Sequence, residues 1–367
     1  MNSLTKIRRR ASSRLATCGA IALMLGCSVS IDSEAVTESR ALIDRLPFGA
    51  TAIAWIDFED LAEAMSSEQW DQYEEMLQGD ENTQGLERFE EATGIDVRQD
   101  VRQMGVALMP GGGDNNWPIV LIEVDFDRGR FESLLTDAES IEYEGATMYA
   151  VDDFVRNLES VVSGDDDIDI PDAEAATEPA DGAYLVVLDD TTLAIGTEEN
   201  LRVVIDVDGG RHETLKSDPD MNDLISEVAG HGQIWLVATK STWDDQVADL
   251  GQTIPGTMVP ATVIESIETV TLSMWLGDGL SIRLTGIAGS AEDAGMLTDS
   301  LNGLLSMGKI MIQGSQPELF QILDRGVHAE QDDRRINIEA NLTPADLEFL
   351  RRMAEDEVGD AVIGSGA

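Results

Sequence analysis

The sequence predicts an α+β protein built as two divergent copies of one unit, each an antiparallel sheet with helices packed on it. Strand-like runs are joined by tight turns, which antiparallel pairing permits and parallel pairing does not. Helical stretches fall between the hairpins, as expected where helices cover a sheet. The order strand, helices, hairpin, helix, hairpin, helix also occurs twice, with matched elements about 150–180 residues apart. With 43% hydrophobic residues in a chain of 367, there is enough apolar material for a core.

The first copy is placed at 39–210. Leu46-Pro47-Phe48-Gly49 leads into 50–57 (ATAIAWID), an apolar strand whose Asp57 can cap a helix from Phe58. Ser66-Ser67-Glu68-Gln69 has the pattern of a capping box, ahead of a helix bearing Trp70, Tyr73, Met76 and Leu77. Thr83 opens a further helix with Leu86 and Phe89 on one face, and Gly94 stops it. Residues 104–109 and 119–124 read as strands, 126–138 as a helix and 146–151 as a strand. Residues 184–188 and 192–196 form a hairpin around Asp189-Asp190, and Thr197 caps a helix that ends at Gly209-Gly210. Between strands of this copy, 163–182 (SGDDDIDIPDAEAATEPADG) is too charged and too poor in large apolar residues to pack, and reads as a mobile loop.

The second copy is placed at 211–358, with the boundary near 209–218 and a disordered tail at 359–367. Residues 233–239 (QIWLVAT) match ATAIAWID in pattern and are again followed by helical sequence, from Ser241. Strands at 270–275 and 280–287 flank the turn Gly277-Asp278-Gly279. Ala294, Leu297, Leu301, Leu304 and Leu305 recur at helical spacing and define a long helix over 291–311. A hairpin over 327–330 and 335–341 follows, and Thr343-Pro344-Ala345-Asp346 has the cap, early proline and acid of a helix start. Hairpin connections argue against a doubly wound parallel sheet and its nucleotide crevice.

Charge narrows the function. Against 71 Asp and Glu stand 24 Lys and Arg, a formal charge of −47. Binding nucleic acid through an electropositive surface is excluded, because phosphate contacts need clustered Lys and Arg. Only four lysines occur, Lys6, Lys216, Lys240 and Lys309, and an acid-rich, lysine-poor surface suits saline surroundings. Two cysteines exclude a disulfide framework and a Cys-rich metal site.

Lys6, Arg8, Arg9, Arg10 and Arg14 precede a short apolar run, and no acid occurs before Asp32. A basic start with a run too short to span a bilayer reads as an export signal. The run ends in Leu23-Met24-Leu25-Gly26-Cys27, which resembles a bacterial lipobox with Cys27 as the lipidated residue, although leucine is usual where Met24 stands. Cys18 is the other candidate, but almost no apolar run precedes it. The paired arginines hint at twin-arginine export, yet Ala11-Ser12-Ser13 stands where apolar residues are expected. Residues 1–26 are accordingly read as a lipoprotein signal peptide and 27–38 as a flexible tether, whose polar part reaches roughly 35–40 Å. Removing the five basic residues of the leader leaves 19 against 71 acids, a charge of −52.

No constellation of residues points to catalysis, a cofactor or a metal. Asp165, Asp167 and Asp169 alternate like the start of a calcium loop, but Ile170 stands where glycine is required and Ala176 where the last acid belongs. His212, His231 and His328 are far apart, with His231 read as a loop residue beside Gly230 and Gly232. There is no Gly-x-Ser-x-Gly elbow, and neither Gly111-Gly112-Gly113 nor Gly308-Lys309 continues into a phosphate loop. Among 71 acids any carboxylate spacing can be found, so pairs carry no weight. Trp55 and Trp235 occupy matching strand positions and are read as core, as are Met296, Met307 and Met311, in the core or between domains.

The leader, Leu46-Pro47 before ATAIAWID, and Thr93-Gly94-Ile95-Asp96 with Asp100 before a strand together resemble bacterial lipoproteins and secreted proteins of unknown function. The likeness covers about the first 200 residues and implies an envelope location and an α+β fold. The expected function is a lipid-anchored cell-envelope protein with a non-catalytic binding or scaffolding role, partnered with the membrane through its lipid and with an envelope protein. Two alternatives stay open. An extracytoplasmic hydrolase with a carboxylate-based site predicts acids converging in one cleft with raised pKa values. A carrier of an apolar ligand predicts a sizeable apolar cavity between sheet and helices.

Overall fold

A computed structural model describes residues 42–64, 89–110, 118–154, 182–243 and 265–353, with 98, 137, 153 and 278 excepted. Cys18, Cys27, the leader, the tether, the helix expected after Ser66, Gly111-Gly112-Gly113, the acidic segment to Asp181 and the tail at 359–367 lie outside the described residues.

Twelve strands form one sheet: β1 (Ala52–Asp57), β2 (Val101–Leu108), β3 (Ile119–Val124), β4 (Ser140–Tyr143), β5 (Ala146–Ala150), β6 (Ala183–Val187), β7 (Thr192–Thr197), β8 (Ile234–Thr239), β9 (Ile267–Gly277), β10 (Gly279–Ala288), β11 (Val327–Asp332) and β12 (Arg335–Leu342). Their order is β11-β12-β10-β9-β8-β1-β2-β3-β7-β6-β5-β4, and every described pair is antiparallel. The fold is thus α+β with hairpin-connected strands, as predicted. The expected units do not each have a sheet of their own. β1 pairs with β8 in register, Ile53 opposite Val237 and Trp55 opposite Trp235, and the two regions merge.

Helices α1 (Phe58–Ala64), α2 (Arg128–Leu134), α3 (Glu198–Asp208), α4 (Pro219–Val228), α5 (Ala291–Ile312) and α6 (Pro317–Gly326) cover the sheet. Local chemistry fixes their starts. The side chains of Asp57, Asp127, Thr197, Asp218 and Ser290 accept the backbone N–H three residues on, satisfying donors that the first turn leaves open. A last helix over 344–353 opens with the reciprocal box expected of its sequence. Thr343 N donates to Asp346 Oδ2, and Asp346 N donates to Thr343 Oγ1.

The two central strands carry the largest core side chains. Trp55 and Trp235 are each 1% exposed, and their rings stack at 5.8 Å between centroids and 8° between planes. Gly105, opposite Trp55 on β2, makes room for the ring, since a Cβ there would sit 2.6 Å from Trp55 Cζ3. One apolar cluster runs from Leu42 and Leu46 through Ile53, Leu121 and Leu201 to Leu224, Trp235 and Val237. The cluster includes residues from both sides of 209–218. α4, which follows the expected boundary, packs its Met221, Leu224, Ile225 and Val228 into the same cluster.

Against a charge of −47, most ion pairs among the described residues are surface pairs and individually weak, Arg325 with the buried Asp346 being an exception. Self-repulsion is the larger electrostatic effect, and it fades as the Debye length falls from about 10 Å at 0.1 M to about 3 Å at 1 M salt. The thermal midpoint is expected to climb steadily with NaCl over that range. A scan series with constant or falling midpoints would contradict this.

Candidate functional site

One face of the sheet changes character between β8 and β9, eight strands in from the β4 edge. A single row of cross-strand partners runs through all twelve strands: Ile141, Met148, Val186, Ala194, Leu121, Gly105, Trp55, Trp235, Ser273, Arg283, Glu339 and His328. It is free of polar side chains as far as Trp235 and polar thereafter. The neighbouring row repeats the change, from Ile119, Ala107, Ile53 and Val237 to Thr271, Thr285, Asn337 and Glu330. Since alternate residues share a face, both rows lie on the side that holds the tryptophans.

Over β9–β12 these polar rows floor a groove of about 470 Å³, walled at one end by Glu227, Val228 and His231 from the end of α4. Thr271, Ser273 and Thr285 are buried. Thr285 Oγ1 donates to Asn337 Oδ1 at 2.9 Å, which leaves the Asn337 NH2 as a donor toward a ligand. Charge in the groove is largely matched within it. Arg283 Nε donates to Glu339 at 2.9 Å, and Arg335 grips Glu227 with two bonds of 2.7 and 2.8 Å, fastening α4 to β12. The Arg335 guanidinium holds the Glu227 carboxyl below its ordinary range. His328 Nε2 lies 3.0 Å from the Arg325 carbonyl oxygen.

His231 and His328 line this one groove although 97 residues separate them; His212 lies outside its lining. His231 does sit in the turn after a helix, and sequence spacing held no trace of its meeting with His328. Among the described residues, no three His, Cys, Asp or Glu side chains are grouped as a metal site requires.

Among the described residues, the acid whose pKa rises furthest lies elsewhere. Asp57 is 6% exposed at the end of β1, and its pKa is raised to about 6, chiefly by burial and further by the charges of Asp60 and Glu59. That value would suit a general acid. Its two oxygens, however, accept from Asp60 N at 2.9 Å and from the buried Gln103 Nε2 at 3.1 Å, and it is not among the residues lining the groove. Asp57 is a structural cap. Gly308-Lys309 lies within α5. The tryptophans are core, as expected of them; Met296, Met307 and Met311 are not, and their side chains are exposed along α5. Helical spacing identified α5 correctly, but periodicity does not say which of two apolar stripes meets the sheet.

Comparison with family models, with curated proteins and with solved structures gives no match.

Proposed function

We propose that this chain is a lipid-anchored cell-envelope protein whose groove over β9–β12 binds an uncharged, hydroxyl-rich ligand such as a neutral glycan. The observation that carries the binding role is the groove itself: buried hydroxyls and an amide on its floor, with its arginines already paired to its own glutamates. A site for an anion would hold unmatched arginine, and a site for an apolar ligand would not be floored by Thr271, Ser273 and Thr285. Neutral sugars instead exchange hydrogen bonds with hydroxyl and amide groups, which lose little by being paired in either state.

The basic leader ending in Gly26-Cys27 supports the anchor, and the polar stretch after it supports a tether that holds the groove off the membrane. A duplicated origin of the sheet is part of the same reading. Outward from the central pair, the strand orders are β1-β2-β3-β7-β6 and β8-β9-β10-β12-β11, each with helix between its third strand and its outer hairpin. On this reading, the hairpin β4–β5 is an addition to the first copy.

Saturation-transfer NMR of the protein against neutral oligosaccharides tests the groove. Signal is expected for at least one sugar, weakened tenfold or more by Asn337→Leu; an unbroken absence of transfer overturns the ligand class. Independently, Cys27→Ser is expected to abolish palmitate incorporation and release the protein from membranes. Undiminished labelling would end the anchor reading and leave the groove untouched.

A further inference from the structure

The helix α5 is apolar on two sides. Its inner side, Ala294, Leu297, Thr298 and Leu301, packs toward β10, β11 and β12. Its outer side carries Met296, Leu304, Met307, Ile310 and Met311, all exposed, with Ile310 at 73% and Met311 at 72%. A surface helix normally presents one apolar stripe to the core and polar residues opposite it, so a second apolar stripe on the outer side has the composition of an interface. Its spacing is informative too. Met296, Ser300, Gly303, Met307 and Ile310 step by four, three, four and three residues, the seam that packs against another helix, and Leu304 and Met311 flank it. The middle of the seam is small and open: a Cβ built on Gly303 meets nothing within 4 Å.

Charge points the same way. From Ser300 to Pro317 there are 18 residues without an acid, longer than any other acid-free stretch after the leader, in a chain where about one residue in five is acidic. This stretch is exposed, so burial does not account for the missing acids. Two molecules this negative repel one another, and contact is least costly where neither presents a carboxylate. A lipid surface fits less well. Interfacial helices carry several Lys or Arg and aromatic residues, whereas Lys309 is the only charge in the stretch, is bonded to Asp324 on α6, and no aromatic is present.

We infer that the outer face of α5 is a homodimer interface, in which the α5 helices of two copies pack across a two-fold axis near Gly303. The arrangement is isologous, as most dimer interfaces are, and brings Ser300 of one copy opposite Met307 of the other. Association is expected to tighten with salt as repulsion between the copies is screened.

Sedimentation equilibrium of the full chain carrying Cys18→Ser and Cys27→Ser tests this. A monomer–dimer equilibrium is expected, at least tenfold tighter at 1 M than at 0.1 M NaCl, and at least tenfold weaker in Met307→Glu/Ile310→Glu. In the same background, Ser300→Cys/Met307→Cys is expected to give a disulfide-linked dimer on mild oxidation. Seven helical residues span about 10.5 Å, too far for the two cysteines to join within one chain. Monomer at both salt concentrations and no covalent dimer overturn the proposal. So does binding of the monomer to phosphatidylcholine–phosphatidylglycerol vesicles that Ile310→Glu abolishes, which would assign the face to lipid. A monomer whose thermal midpoint falls in the glutamate variant also overturns it, because the face would then be covered by the chain's own residues.

Discussion

Replacing Trp55 by alanine is expected to cost about 3–5 kcal/mol, the usual range for emptying a large aromatic site in a core. That is a large share of the 5–15 kcal/mol that holds a typical domain folded. The ring is almost fully buried, stacks on Trp235 and lies over Gly105, so its removal opens a cavity bounded by backbone that cannot easily close. Trp55→Phe should cost clearly less, since it keeps most of the ring and removes an indole N–H that is buried without an acceptor. Trp235→Ala should resemble Trp55→Ala, and the double variant should lose less than the sum, because the second truncation has no stacking contact left to break. Urea titrations followed by tryptophan fluorescence and by far-ultraviolet circular dichroism would check this. The two probes should share one transition in the wild type, because one apolar cluster spans both ends of the β1–β8 seam. Two separate transitions would show that the regions on either side of the seam hold together independently.

The second large effect concerns pH. Asp57 binds its proton more tightly in the folded state, with a pKa near 6 against an ordinary 3.8. A raised carboxyl pKa means that stability from this group is greatest below about pH 4, declines as pH rises toward 6 and is flat above that. The difference corresponds to at most about 3 kcal/mol at pH 7. Asp57→Asn should remove that burden and still cap α1, since asparagine caps as well as aspartate. The Gln103 amide can turn to accept from the new NH2. The variant is expected to be more stable than wild type at pH 7–8, by 1–3 kcal/mol in order of magnitude, and equal to it near pH 4. Taking the difference between the two proteins cancels the broad titration of the other acids. A difference that does not change between pH 4 and 7 would mean that Asp57 ionises normally and that burial does not govern it.

Much of the fold could be read from the amino acids, for reasons that are local. Thr197, Asp57 and the Thr343–Asp346 box announce helix starts because a short polar side chain satisfies the first free N–H groups wherever it occurs. The hairpins β6–β7, at Asp189-Asp190, and β9–β10 follow from turn chemistry in the same way. β4 was missed because its turn is Glu144-Gly145, with Glu144 at φ 51°, a conformation that Asn or Asp would have advertised. The helix α6 was missed as a separate element, although Gln316-Pro317 marks its start.

The pairing of β1 with β8 was hidden for a different reason. Periodicity assigns faces to a strand, not neighbours. A signal was nevertheless present: AIAWID and IWLVAT are buried on both faces and read as nearly continuous apolar runs, which is what a central strand looks like. Two such strands in one chain are most simply placed together. The groove was less legible still. Its floor comes from four strands and its wall from α4, and Thr271, Ser273, Thr285 and Asn337 look in sequence like ordinary solvent-facing strand residues. Only the register shows that they meet.

That register also bears on how the groove would take up a ligand. The ladder of backbone hydrogen bonds runs from β11 to β4 without interruption, and Glu227 with Arg335 bolts the wall to the floor. Among the described residues there is no jaw to swing shut, of the sort that periplasmic receptors use between two lobes. Recognition would be that of a mould already cast. Its selectivity would come from the contour of a twisted lattice, and capture would proceed at the pace of encounter rather than wait on a slow rearrangement.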